Sequence, residues 1–192
     1  MKYSFIFLAA LAMSLFSFNL AKVKVAKVDI ETSTVEWSAS KVTGKHSGTI
    51  KIKEGDLTFT DGALSGGTFT MDMTSLKATD IQGKMAGKLE GHLKSPDFFG
   101  VEEFPTSTLV IKNVYSRGTM GEYKVVGDIT IKGMTKEVKF NTVLKEGVAT
   151  ATINLDRTDY NVKYGSGSFF SNLGDKTIHD EFVLDVSLSY SM

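Results

Sequence analysis

The sequence predicts an all-β protein, an antiparallel barrel of about eight strands with one inserted helix. Three observations carry this expectation. Val, Ile, Thr, Phe, Tyr and Trp make up 66 of the 192 residues, the types that fit a pleated, half-buried surface. Apolar and polar residues alternate over most of the chain, with two-residue turn signals between the runs. One segment alone changes to a four-residue repeat.

Lys2 precedes an almost wholly apolar run, Tyr3 to Phe18, and the first acidic residue is Asp29. This reads as a secretory signal peptide over 1–21, too short for a membrane span of about 20 apolar residues. An uncleaved N-terminal anchor is the alternative. The expected mature chain, 22–192, is one domain with no further transmembrane span and a periplasmic or secreted address. Removing 1–21 takes one Lys and no acid from a chain of 22 basic and 22 acidic residues, leaving a net charge of −1. That balance argues against a nucleic-acid partner, which needs surplus positive charge to displace phosphate counterions. The chain has no Cys, which excludes disulfides, thiolate metal sites and Cys nucleophiles.

The strand runs follow in order. Val35, Trp37 and Ala39 alternate with polar residues, then Ile50 and Ile52, Leu57 and Phe59, and Phe69, Met71 and Met73. Thr106 to Tyr115 is apolar on both faces near its middle. Tyr123 to Lys132, Val138 to Leu144, Ala149 to Leu155 and Phe182 to Tyr190 complete a set of eight or nine. Asp61-Gly62, Arg117-Gly118, Lys132-Gly133 and Glu146-Gly147 mark the turns. Short gaps make successive strands antiparallel neighbours. Closure into a barrel would remove exposed edges; a two-sheet sandwich is the alternative. An outer-membrane barrel is disfavoured, because Lys124, Asp128, Lys132, Glu137 and Lys139 occupy what would be its lipid face.

Between Asp80 and Ser95, Ile81, Met85, Leu89 and Leu93 form a helical stripe, and Gly83, Gly87 and Gly91 repeat at the same spacing. Each Gly costs roughly 1 kcal/mol relative to Ala. The segment is therefore either a weak helix or one pressed close to a backbone or ligand. Ser95-Pro96-Asp97 predicts a second short helical piece ending near Gly100.

Small residues at Ala39, Gly127, Ala149 and Ala151 share the inward face with large ones. They either leave room for a ligand or complete an ordinary tapered core. His46, His92 and His179 match no compact metal-ligand spacing. Gly165-Ser166-Gly167 lacks the nucleophile-elbow pattern. The loop from Tyr164 to Gly174 reads as a mobile segment or as a source of backbone N–H groups for an anion. Arg157 and Asp159 are placed to pair with each other at a strand end.

Six stretches carry a resemblance to a known family. They are WSASKVTGKHSGTI (37–50), LSGGTFTMDMTSL (64–76), KLEGHLKSPDFFGVEEFPT (88–106), GDITIKGMTKEVKF (127–140), LDRTDYNVKYGS (155–166) and GDKTIHDEFVLDVSLS (174–189). In this order, and across nearly all of 22–192, the chain resembles the YceI family. The resemblance implies a secreted bacterial protein with an extended lipocalin-like barrel. It also implies a long apolar cavity for a polyisoprenoid or similar amphiphilic lipid, a possible homodimer and no catalytic residue. No cofactor is expected beyond such a lipid or a quinone-like ligand. The family's commonest opening, Asp-x-x-His-Ser with a further His, is replaced here by Asp29, Thr32, Ser33 and Lys41. A head group touching those positions would differ.

On this reading the lumen is lined by Trp37 and Ala39, by Phe69 and Met71, and by Met85 and Leu89 from the helical stripe. Val125, Ile129 and Phe140 follow, then Ala149, Ala151 and Ile153, and finally Phe182 and Leu184. His46, His92, Lys94 and Arg157 are the candidates for a polar head group, because a buried polar head needs hydrogen-bonding partners. The competing function is a small envelope enzyme or metal-binding protein using His residues at the barrel mouth.

Overall fold

A computed structural model describes residues 20–191; most of the expected signal peptide lies outside the described residues. Eight strands run β1 (Val23–Lys41), β2 (Gly44–Thr60), β3 (Ala63–Ala78), β4 (Thr106–Ser116), β5 (Glu122–Ile131), β6 (Met134–Lys145), β7 (Val148–Asp156) and β8 (Ile178–Ser191). Each pairs antiparallel with its sequence neighbours, and β8 returns to β1. The sheet is a closed barrel, not a sandwich.

The count is eight because two of the sequence runs are one strand. In β2, Ile52 pairs with Met71 and Glu54 with Thr70, so Lys53 is an extra residue. This bulge switches the buried series from Ile52 to Gly55, Leu57 and Phe59. A bulge that shifts parity reads in the sequence as a break between strands. β1 does the same between Asp29 and Thr34, changing from Ala26 and Val28 to Val35 and Trp37. There Ser33 Oγ donates to the Asp29 carbonyl (2.6 Å) and accepts from Ser189 N–H (2.9 Å).

The two ends of the barrel differ. Tight turns at Asp61-Gly62 and Glu146-Gly147 and the Arg117–Gly121 loop close one end. Ala26, Leu57, Phe59, Leu64, Val125 and Leu188 pack beneath them, and Phe59 stacks on Tyr190 with ring centroids 5.6 Å apart. The other end carries the β1–β2 turn, the segment 79–105 with helix α1 (Gly83–Lys94), the β5–β6 turn and the loop 157–177.

Helix α1 packs on β3 by its C-terminal half. Leu93 is buried and Leu89 half-buried, whereas Met85 is 65% exposed. A methyl group added at Gly83, Gly87 or Gly91 would meet nothing within 4 Å. The weak-helix reading of the Gly repeat therefore holds in this chain. Pro96 to Gly100 forms a hydrogen-bonded turn closed by Gly100 N–H on the Ser95 carbonyl (2.8 Å), not a second helix.

The wall is thinnest between β6 and β7, which share only four pairs, Thr142↔Ala151 to Lys145↔Val148. Below them Tyr160, on a single 3-10 turn (Arg157–Tyr160), packs with Ile131, Ile153 and Val138 and fills the gap. Burial, followed by the nearby Asp159 charge, pushes the Tyr160 phenol up to about 12, so it stays neutral. Lys136 and Asp159 pair at 3.5 Å outside it.

Candidate functional site

A cavity of about 810 Å³ runs along the barrel axis, in the upper part of the range for ligand pockets. Alternation builds it. β7 turns Ala149, Ala151 and Ile153 inward, and the facing strands add Phe69 and Met71, Val125 and Ile129, Phe140, and Phe182 and Leu184. Trp37 lies opposite Gly48 in the β1–β2 register. A side chain at position 48 would collide with the Lys77 carbonyl oxygen and sit 2.6 Å from the indole. Glycine there lets the ring lie against the wall and donate Nε1–H to that carbonyl (3.1 Å). The inward indole is thus apolar toward the cavity and satisfied behind it.

Thirteen of the fourteen residues expected to face the lumen line this cavity: Trp37, Ala39, Phe69, Met71, Leu89, Val125, Ile129, Phe140, Ala149, Ala151, Ile153, Phe182 and Leu184. Met85 does not, because the N-terminal half of α1 projects past the barrel into solvent. Gly127 adds no space. A Cβ there would meet Leu109 Cδ1 at 3.0 Å, so a neighbouring side chain already takes the room.

The exposed lining residues are at the helix end, apart from Thr150 at the thin part of the wall. That end is the mouth. His46, His92 and His179 all lie there, with Lys41, Asp175 and Lys176. His46 Nδ1 is 2.8 Å from Asp80 Oδ2. Partial burial pushes the Asp80 carboxyl up, but hydrogen bonds from His46 and from Ser47 N–H outweigh it and hold the group below its ordinary value. His92 stacks edge-on against Tyr164 (4.5 Å) and Phe98 (5.2 Å). Among the described residues no three His, Asp or Glu side chains gather as a metal site.

Arg157 lines the cavity at the mouth, and its donors are committed to the protein itself. It is 3% exposed, and all five of its N–H donors are used. Nε donates to the His179 carbonyl, Nη1 to those of Val162 and Tyr164, and Nη2 to that of Ile178 and to Asp180 Oδ1, at 2.8–3.1 Å. Burial lowers its pKa, opposed by Asp180. Arg157 therefore pairs with Asp180 and not with Asp159, and clamps the mouth loop onto the start of β8. Asp180 Oδ2 also accepts from Ser166 (3.0 Å) and Ser168 (2.7 Å), so the Gly/Ser loop is anchored at a fully buried Ser166. Lys94 lies outside the cavity lining. Asp29, Thr32 and Ser33, the positions that depart from the family's opening, form the β1 bulge and do not line it, whereas Lys41 does.

Lys41, Lys176 and His179 are the basic or imidazole lining residues absent from the expected head-group set. Lys41 stands two residues past the inward Ala39 at the strand end, so the alternation already pointed to it. Lys176 and His179 reach the mouth only through the fold of the 157–177 loop.

A closed eight-strand antiparallel barrel with an axial apolar cavity open at one end defines a lipocalin-like binding barrel. The YceI-like domain matches residues 27–190, and the chain belongs to that family. A UPF0312 protein of Staphylococcus aureus (strain MSSA476) is 37% identical over 136 residues, covering 62% of this chain and 74% of that protein. Among solved structures, Burkholderia cenocepacia BcnA superposes with a TM-score of 0.68 at 20% identity, over 86% of this chain and 99% of BcnA. A polyisoprenoid binding domain from Saccharophagus degradans, implicated in plant cell wall breakdown, gives 0.61 at 12% identity, over 86% and 97%. At these identities both likenesses show the fold. Among the described residues no helix is long and apolar enough to cross a membrane.

Proposed function

We propose that this protein is a binding protein, not an enzyme, and that it holds a long-chain isoprenoid or similar amphiphilic lipid in the barrel lumen. One observation carries the reading: an apolar axial cavity of about 810 Å³ whose charged and imidazole lining residues lie at one end. That asymmetry fits a molecule with an apolar tail and a polar head. Burying each CH₂ contributes about 0.8 kcal/mol. Ten buried carbons therefore offer roughly 8 kcal/mol against the costs of ordering the ligand. Family membership and the polyisoprenoid binding domain of the same fold support the class of ligand. Of the groups first considered for the head, His46 and His92 keep that role at the mouth, joined by Lys41 and Lys176.

The expected address is the periplasm or the exterior, supported by Lys2 and the apolar run behind it. Self-association as a homodimer belongs to the same reading. Mass spectrometry of the purified protein, native and then denatured, tests the proposal. Co-purified long-chain lipid is expected. Bound zinc without lipid would replace this reading with a metal site at the mouth.

A further inference from the structure

Half of the mouth rim is built unlike the rest of the surface. Tyr164, Phe169 and Phe170 are each about half exposed, three aromatic rings within seven residues of one loop. Tyr164 and Phe170 line the cavity, so the apolar surface continues from the lumen onto the rim. The β1–β2 turn is hydrogen-bonded to the end of the same loop, Val42 N–H to the Thr177 carbonyl (3.1 Å), and Val42 is also exposed. Exposed apolar groups continuous with a cavity mark an interaction surface.

The same half is basic. Lys41 and Lys45 flank the turn, and Lys163 and Lys176 flank the loop; among the described residues none of the four forms an ion pair. Lys163 Nζ sits 4.6 Å over the Phe169 ring. Among the described residues Asp175 is the exposed acid of this loop outside any ion pair, since Asp159 pairs with Lys136 and Asp180 is engaged by Arg157 and the two serines; Asp80, beside the β1–β2 turn, is held by His46 and Ser47 N–H. The acids Asp97, Glu102 and Glu103 lie on the segment that packs against the β5–β6 turn through Lys132 and Phe104. In a ring of eight strands that turn is diametrically opposite the β1–β2 turn.

We infer that this aromatic and basic half of the rim docks on an anionic lipid bilayer, seating the cavity mouth at the interface where an amphiphile enters or leaves. Aromatic rings favour the headgroup level. Lysines near an anionic leaflet each strengthen binding roughly five-fold, an attraction that salt screens. The inference rests on the proposed lipid-binding function, and the test separates the two.

Phe169 and Lys45 do not line the cavity, so the variant Phe169→Ser/Lys45→Glu spares the lumen. Sedimentation is measured with vesicles of phosphatidylcholine alone and of phosphatidylcholine with roughly a third phosphatidylglycerol, an anionic mixture. Wild type should bind the anionic vesicles, bind neutral ones far less, and be released by about 0.5 M salt. The double variant should lose about ten-fold or more in anionic-vesicle affinity, given one lysine reversed and one ring removed, while its co-purified lipid and unfolding curve are unchanged. Ala151→Phe should lose the lipid and still sediment. Wild type that fails to sediment with anionic vesicles, or a double variant that sediments equally well, would overturn docking whatever the lipid content. So would a rim that instead joins two copies of the chain, seen as a dimer abolished by the double variant with no vesicle binding. Absence of lipid from all three proteins would instead count against the lumen reading.

Discussion

The closed end and the mouth of this barrel are held together by different physics. At the closed end Leu57, Phe59, Leu64 and Leu188 are buried against one another beneath tight turns, and packing does the work. At the mouth the loop carries Gly165, Gly167 and Gly174 and exposed aromatics. It is held by Arg157, one guanidinium bonded to four carbonyls and a carboxylate. Packing suits an end that only has to be closed, and Leu57, Leu64 and Leu188 form the floor of the cavity. A polar clamp holds a loop in place without filling the space beneath it, so the mouth is shaped while the lumen stays accessible.

The largest expected effect lies at the clamp. Arg157→Ala leaves Asp180 and four backbone carbonyls without their donor, and breaking such a buried pair costs about 3–5 kcal/mol. Arg157→Lys should recover only part, because an ammonium offers three donors where five are used. Denaturant unfolding reads both; an Arg157→Ala protein as stable as wild type would show that the loop needs no clamp. Phe59→Ala should cost about as much, 3–5 kcal/mol, by opening a cavity in the closed end. Phe169→Ala, at the rim, should stay within about 0.5 kcal/mol. Equal losses for the two Phe variants would erase the contrast between the ends.

The parts of this architecture that depend on alternation were legible in the sequence. Period two placed Ala149, Ala151 and Ile153 on the lumen face, and the turn dipeptides placed the neighbours. Bulges were not legible, because a parity change at Lys53 looks the same as a strand ending. The helical stripe groups Met85 with the lumen residues, yet Met85 is exposed: a stripe says which face is apolar, not how far the helix extends beyond its support. Arg157 could not be read as a clamp, since its acceptors span Val162 to Asp180 and meet only when the loop folds back. The resemblance to a family conveys the fold and the class of occupant proposed; it does not convey which rim side chains are already engaged.

The smallest effect sharpens the reading of α1. With open space around Gly87 and a helical backbone there, Gly87→Ala should stabilise the protein by up to about 1 kcal/mol. Thermal unfolding measures it. A destabilised variant would mean that the bare Gly face is covered in solution.

The central claim is that the interior is a cavity and not a packed core, and Ala151→Phe tests it most directly. Ala151 lines the lumen, and Asn154, on the same strand with the opposite parity, is exposed and lies outside the lining. Thermal unfolding of delipidated protein and lipid content by mass spectrometry are compared for Ala151→Phe and Asn154→Phe. The expected result is an Ala151→Phe protein of near wild-type stability that has lost its long-chain lipid, with lipid retained in Asn154→Phe. An Ala151→Phe protein destabilised by about 1–3 kcal/mol, the cost of overpacking a filled core, together with lipid-free wild type, would contradict it.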